Sequence, residues 1–303
     1  MKAFIFKILL FATVIFLVDF FAGIVLDKLY KNAQSGVALQ ENYIFNETKE
    51  DVLIFGSSRA AFHYIPGIIS KETGYSVYNV GREGTGIYFH NVLLLATLDR
   101  YKPKVVVLDL DFRDIYNRTG NFSTDVYKEL LPYYGKFNIE LDSIITPNFY
   151  DAIFCQSNLY KYNKKFFNVI SGSFPKAKDN FNGYRPLIGE WDKTPKKLPP
   201  EKLVVGDKLL QTIGEFINRA KQNDIKIIIA LSPSYKQLPQ EFYDYTNKLS
   251  NTYQVEVLNH YKDSTFLNNS AYFYDEEHLN NKGAELYSKK ISKEINAILN
   301  NIK

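Results

Sequence analysis

Five short apolar runs, at 52–55, 77–80, 105–110, 225–231 and 255–258, punctuate the chain, and residues with helical spacing follow each of them. Alternation of this kind predicts parallel strands covered by helices on both faces. The stretches VVVLDL and IKIIIAL are almost continuously apolar, as central strands buried on both sides must be. Residues 203–222 and 281–299 repeat apolar positions at the period of a helix. The expected fold class is α/β: a three-layer α/β/α sandwich around a mostly parallel five-stranded sheet.

Between 116 and 202 this rhythm stops. The stretch is rich in Tyr, Phe and Asn and ends in PKKLPPEK, so it reads as an insertion after the third strand, packed over the sheet's edge or its carboxyl end. Its aromatics suit a small secondary core, with stacking on sugar rings as the alternative.

At the N-terminus, residues 8–26 are apolar apart from Asp19. A helix of that length spans about the 30 Å of a bilayer's hydrocarbon core. Asp19 costs at most about 2.5–3.5 kcal/mol there, which the surrounding Phe, Ile, Leu and Val offset. Lys2 and Lys7 before the run favour a cytoplasmic N-terminus, while Lys28 and Lys31 after it weaken the charge bias. The nearest small-x-small site, Ala33 and Ser35, follows charged residues, and no cysteine stands where a lipoprotein signal needs one. The expectation is an uncleaved, single-pass signal anchor over 1–31 and a polar stalk over 32–50. A domain over 51–303, carrying the insertion 116–202, is expected outside the cytoplasm.

Composition narrows the function. A length of 303 residues accommodates one α/β domain with an insertion. With 46% hydrophobic and 23% charged residues, disorder, collagen and coiled coil are excluded as descriptions of the whole chain. A net charge of +4 is too small for phosphate-backbone binding to be the main task, so nucleic acid is not an expected partner. The single cysteine, Cys155, excludes an intrachain disulfide framework, thiolate zinc clusters and a CxxC redox centre. His63, His90 and His260 stand singly without metal-ligand spacing, and no metal or organic cofactor is expected.

Three segments carry candidate chemistry. The first strand runs into Gly56-Ser57-Ser58-Arg59-Ala60, at the carboxyl end where open α/β sheets bind ligands. Ser58 is placed there as a nucleophile, although a Gly-Ser-Ser turn alone more often just caps a helix. Asp275-Glu276-Glu277-His278 precedes the last helical pattern; its spacing lets a carboxylate orient an imidazole that takes a serine's proton. Asn79 through Thr85, NVGREGT, follows the second strand, and its glycines permit a turn whose N–H groups can face an oxyanion. It fails as a dinucleotide fingerprint because it is G-x-x-G-x-G after the second strand, not G-x-G-x-x-G after the first.

In this order, the three segments resemble the SGNH/GDSL hydrolases. The family's G-D-S is matched by Gly56-Ser57-Ser58, a variant seen in membrane-anchored members that handle acyl groups on surface polymers. Its N-x-G-x-x-G corresponds to Asn79 through Gly84, and its D-x-x-H to Asp275 and His278. The resemblance covers 51–115 and 203–299. It implies Ser58, Asp275 and His278 as catalytic residues, with the N–H groups of Ser58 and Gly84 in the oxyanion hole. The family's G-x-N-D departs here: Asp111, Arg113 and Asp114 fall on its glycine, asparagine and aspartate. Loss of that asparagine donor costs about 10²–10³ in rate, unless Arg113 or Arg59 replaces it; a structural ion pair with Asp109, Asp111 or Asp114 is the equal alternative for both arginines.

The resemblance implies a serine esterase or deacylase acting through an acyl-enzyme on acyl groups, acetyl foremost, of saccharides or cell-surface polymers. O-acyl transfer on the same scaffold and a catalytically impaired glycan- or partner-binding module are the alternatives. A different enzyme class is suggested by VVVLDLD, whose D-x-D resembles the first motif of haloacid-dehalogenase-type phosphatases, with Asp109 as nucleophile. Phe112-Arg113 stands where that motif continues with G-T, and the reading leaves GSSRA and DEEHLN without a role.

Overall fold

The computed structural model describes residues 1–117, 129–137, 139–146, 149–175, 182–193 and 204–300. In chain order the elements are α1 (Lys2–Lys31), α2 (Gly36–Asn46), β1 (Val52–Gly56), α3 (Ser58–His63), α4 (Pro66–Thr73), β2 (Val77–Asn79), α5 (Ile87–Leu98), β3 (Val105–Asp109), β4 (Tyr116–Asn117), α6 (Ile139–Ile145), α7 (Phe149–Phe154), α8 (Asn158–Tyr162), α9 (Phe166–Gly172), β5 (Val204–Val205), α10 (Asp207–Gln222), β6 (Lys226–Leu231), α11 (Gln240–Tyr253), β7 (Glu256–Asn259), α12 (Ser264–Leu267) and α13 (Asn281–Asn300). They divide into two compact units, one of 1–47 with 123–179, the other of 48–122 with 180–303.

The second unit holds a five-stranded sheet of order β2-β1-β3-β6-β7, parallel throughout. The expected fold class is what forms, and the apolar runs are its strands. Val52 pairs with Val77 on one side and Val105 on the other, while Val105 also pairs with Lys226. β1, β3 and all of β6 after its first residue are buried because helices cover both faces. Val52, Ile54, Val105, Val107 and Ile228 join Tyr287, Ile291 and Ile295 of α13 and Ile69 of α4 in one core layer. On the other face Phe55 meets Phe216 of α10 edge-on at 5.3 Å between ring centroids, and His90 of α5 at 6.3 Å. The chain places β2 on one flank of β1 and β3 on the other, so the connections leaving β1 and β3 diverge and open a crevice at their carboxyl ends.

The first unit joins α1 and α2 to residues 129–175. α1 presents only a narrow seam to it, with Gly23, Leu26 and Tyr30 buried at helical spacing and residues before Asp19 exposed. Tyr30 packs edge-on against Tyr133 and Tyr162, and its hydroxyl donates to Glu41, which also accepts from the buried Lys165 ammonium. Pairing keeps Lys165, 1% exposed, from being an uncompensated interior charge. One expectation differs from this arrangement. The stretch 32–50 carries the helix α2, whose Ala38, Ile44 and Phe45 are buried, where a stalk was expected. The physical reason is the seam of α1 and the described part of 129–175, which give α2 a surface to pack on. Of the insertion 116–202, residues 118–128, 138, 147–148, 176–181 and 194–202 lie outside the described residues.

Candidate active site

Ser58 is the first residue of α3, immediately after β1, and Ser57 occupies the N-cap position. Gly56 makes this abrupt turn possible. Its φ of 143° is disfavoured for any side chain, and a Cβ there would stand 2.7 Å from the Asp109 carbonyl oxygen and 2.8 Å from the Ala60 Cβ. The two serines consequently face different partners. Ser57 Oγ lies 3.4 Å from Asp111 Oδ2, whereas Ser58 Oγ lies 2.8 Å from His278 Nε2.

Residues 273–279 form a tight reversal, with Phe273 and Leu279 in an antiparallel bridge and the Tyr274 N–H donating to the His278 carbonyl at 2.8 Å. Asp275 organises it. Its Oδ1 accepts the Glu277 N–H at 2.9 Å, the His278 N–H at 3.0 Å and the His278 ring at Nδ1 at 2.8 Å. With Nδ1–H donating to this carboxylate, Nε2 carries the lone pair that accepts from Ser58 Oγ–H. Hydroxyl, imidazole and carboxylate thus form a continuous hydrogen-bonded relay across residues distant in sequence.

A second layer supports the relay. The Leu279 N–H donates to His63 Nε2 at 2.9 Å, and the His63 Nδ1–H is 2.9 Å from Ser232 Oγ at the end of β6. Burial, reinforced by neighbouring His278, holds the His63 pKa well below its ordinary value, so this ring is neutral and its tautomer is set by the two bonds. A sequence reading leaves His63 structural by default; its position six residues past Gly56-Ser57, on the helix that carries Ser58, is the signal that links it to the site. Asn280 closes the same segment, donating to the carbonyls of Gly189 and Ala271 at 2.8 Å each and accepting from the Gly283 N–H at 3.1 Å.

The candidate oxyanion donors divide. Gly84 sits in the turn between β2 and α5 with φ of 71°, and no atom stands within 4 Å of where a Cβ would be. That turn is tied to the nucleophile's turn by the Arg82 N–H, which donates to the Gly56 carbonyl at 3.0 Å. Asn79 holds its base, donating to the carbonyls of Ala60 at 2.7 Å and Tyr64 at 3.0 Å while accepting from the Gly81 N–H at 2.9 Å. Arg59 is 3% exposed, with one guanidinium nitrogen 3.0 Å from Asp109 and donating also to the Leu110 carbonyl. It serves as an ion-pair partner under the strand ends. Arg113 grips Asp111 with two nitrogens at 3.0 and 3.1 Å and keeps a side chain 24% exposed, 3.9 Å from Glu277.

The aspartates of the LDLDFRD segment are therefore scaffold. Burial alone would raise the Asp111 pKa, but Arg113 and Arg59 outweigh it and hold the carboxylate well below its usual range. Asp114, whose pKa is pushed up to about 7 by burial and then by Asp111, accepts the Ile87 N–H at 2.8 Å and so ties β3's exit to the start of α5. Both carboxylates of the D-x-D run are occupied by arginines, in contrast to the free nucleophile of a phosphatase reading. Among the described residues no group of three or more His, Cys, Asp or Glu side chains converges as a metal site.

No family profile matches the chain, and no curated protein does. Among solved structures, an acetyl xylan esterase is 13% identical over 80% of this chain and 99% of its own, at a TM-score of 0.44. A GDSL-like lipase from Bacteroides thetaiotaomicron is 12% identical over 80% of this chain and 88% of its own, at a TM-score of 0.36.

Proposed function

We propose that this chain is a serine esterase held at a membrane by α1, and the observation that carries the proposal is the Ser58–His278–Asp275 relay at the mouth of the sheet crevice. Ser58 Oγ attacks an acyl carbonyl while its proton passes to His278 Nε2; Asp275 keeps Nδ1 protonated and faces the imidazolium that forms. The imidazolium returns the proton to the departing alkoxide, leaving the acyl group on Ser58. Water then attacks the acyl carbon, giving its proton to Nε2, and collapse of the second tetrahedral intermediate frees the carboxylic acid and restores Ser58 Oγ–H. The N–H groups of Ser58 and Gly84 are assigned to the oxyanion. Arg113 is the candidate third donor, since its side chain keeps 24% exposure while that of Arg59, at 4%, is buried against Asp109 and the Leu110 carbonyl.

The substrate class is the one the motif resemblance implies: ester-linked acyl groups, acetyl foremost, on saccharides or surface polymers. The anchor reading is supported by α1, the one helix among the described residues long and apolar enough to cross a membrane. It is supported further by the seam of Gly23, Leu26 and Tyr30, because a cleaved leader would take those buried residues out of the unit they help to build.

Hydrolysis of a short-chain aryl ester, and acetate release from an O-acetylated saccharide, test the reading. The wild type turns over and Ser58→Ala falls by about 10⁴-fold or more. Equal silence of wild type and variant across acyl lengths would remove the esterase reading.

A further inference from the structure

We infer that α7 and α8, in the middle of the insertion, are embedded in the lipid bilayer beside α1 and form a hydrophobic collar around its exit from the membrane. The inference rests on the anchor reading of α1 and is independent of the esterase chemistry.

Depth is fixed by Asp19. Its two carboxylate oxygens accept from Ser157 Oγ at 2.7 Å, the Asn158 N–H at 2.9 Å and the Leu159 N–H at 3.0 Å. Asp19 lies inside the apolar run 8–26, and at about 1.5 Å per residue it sits roughly 10 Å below the run's end at residue 26. Whatever touches Asp19 shares that depth, so the first turn of α8 lies within the apolar layer that α1 spans. The Asn158 side chain packs so closely on Gly23 that a Cβ there would collide with it, a small residue making room for a polar side chain as at helix interfaces in lipid. Asp19 thereby acquires a purpose: its carboxylate satisfies the free N–H groups at the start of α8 and α8 satisfies the carboxylate, so neither is left unpaired in hydrocarbon.

The side chains that α7 and α8 turn outward match this placement. Phe149 is 74% exposed, Tyr150 72% and Phe154 54%, and Ile153 and Leu159 are also exposed. Such a patch is a liability in water and ordinary against acyl chains. Charged groups gather where the apolar layer should end: Asp27 pairs with Lys31 at 2.8 Å and Lys136 at 2.6 Å, and accepts from the Tyr162 hydroxyl at 2.9 Å. Tyr30 and Lys165 lie one turn further out, so Phe167, 82% exposed, falls at the headgroup level, where aromatic side chains concentrate.

Spin labels on the full chain in phosphatidylcholine–phosphatidylglycerol nanodiscs test the collar. In a Cys155→Ala background, single labels are placed at Phe11→Cys, Phe154→Cys, Phe167→Cys and Ile188→Cys, and collisions with oxygen and with a water-soluble nickel chelate are compared. Thermal unfolding of each variant verifies that it is folded. Phe11 and Phe154 should be oxygen-rich and nickel-poor, Phe167 intermediate, and Ile188 nickel-rich. Phe11 in lipid with Phe154 as nickel-accessible as Ile188 would overturn the collar and leave the anchor standing. A nickel-accessible Phe11 would remove the anchor and the collar together. A Phe154 label shielded from both reagents would assign the patch to a second copy of the chain, which also overturns it.

Discussion

The sheet unit and the unit built on α1 handle apolar surface in opposite ways. Among the described residues, the sheet unit leaves only Ile188, Val204 and Tyr274 as exposed large hydrophobics, a small apolar share for a surface facing water. The α1 unit exposes most of α1 and, beyond it, Phe149, Tyr150, Phe154, Phe167 and Phe174. Both follow one rule for interior charge, with Arg59 against Asp109 in one and Lys165 against Glu41 in the other. Alike in pairing their interior charges, the two units are opposite in where their apolar side chains point.

That contrast predicts that substitutions in the sheet unit alter chemistry and folding, while those on the outward face of the α1 unit alter membrane behaviour alone. The largest effect is Asp275→Asn, which leaves His278 without its orienting carboxylate and should lower kcat by about 10⁴-fold without moving the chain off the membrane. Next is Arg59→Leu. With Asp109 buried at 1% exposure, loss of its partner should destabilise the sheet unit by about 3–5 kcal/mol in denaturant unfolding.

A pH effect follows in size. His90 is fully buried, its two ring nitrogens find no hydrogen-bond partner among the described residues, and burial holds its pKa at about 3. In the unfolded chain the same imidazole takes a proton near pH 6.5. The unfolded state therefore binds more protons between those values, and stability falls as pH drops through 6.5, by about 2 kcal/mol at pH 5 from this group. His90→Phe should remove that part of the slope; an unchanged slope would show that His90 is solvated. The smallest effect on catalysis and folding belongs to Phe154→Ser, within about 0.5 kcal/mol of wild type as for a surface site. A large loss of ester turnover in Phe154→Ser would break the contrast.

The sheet was legible because buried parallel strands must be continuously apolar and separated by helices, a constraint that VVVLDL and IKIIIAL display openly. Gly56-Ser57-Ser58 and Asp275-Glu276-Glu277-His278 were legible as local geometry: one needs a glycine at a strained turn, the other a carboxylate three residues before an imidazole. His63 was not, since its bond to the Leu279 N–H depends on a fold that brings together elements more than two hundred residues apart. Nor was the role of α7 and α8, because an exposed Phe and a core Phe look alike in a chain where both water and lipid can be the surrounding medium. Arg59 and Arg113 illustrate a further limit: the sequence sets donor and ion pair side by side for both, and the structure pairs both with aspartates at 3.0 Å, so that only burial, 4% against 24% side-chain exposure, distinguishes them.

Intact-mass and peptide analysis after treatment with a fluorophosphonate probes the relay most directly, comparing wild type with Ser57→Ala, Ser58→Ala and His278→Ala. Covalent adduct on Ser58 in wild type and Ser57→Ala, with none in Ser58→Ala and a strongly slowed reaction in His278→Ala, is the predicted result. Adduct on Ser57, or undiminished labelling of Ser58→Ala, would contradict the account.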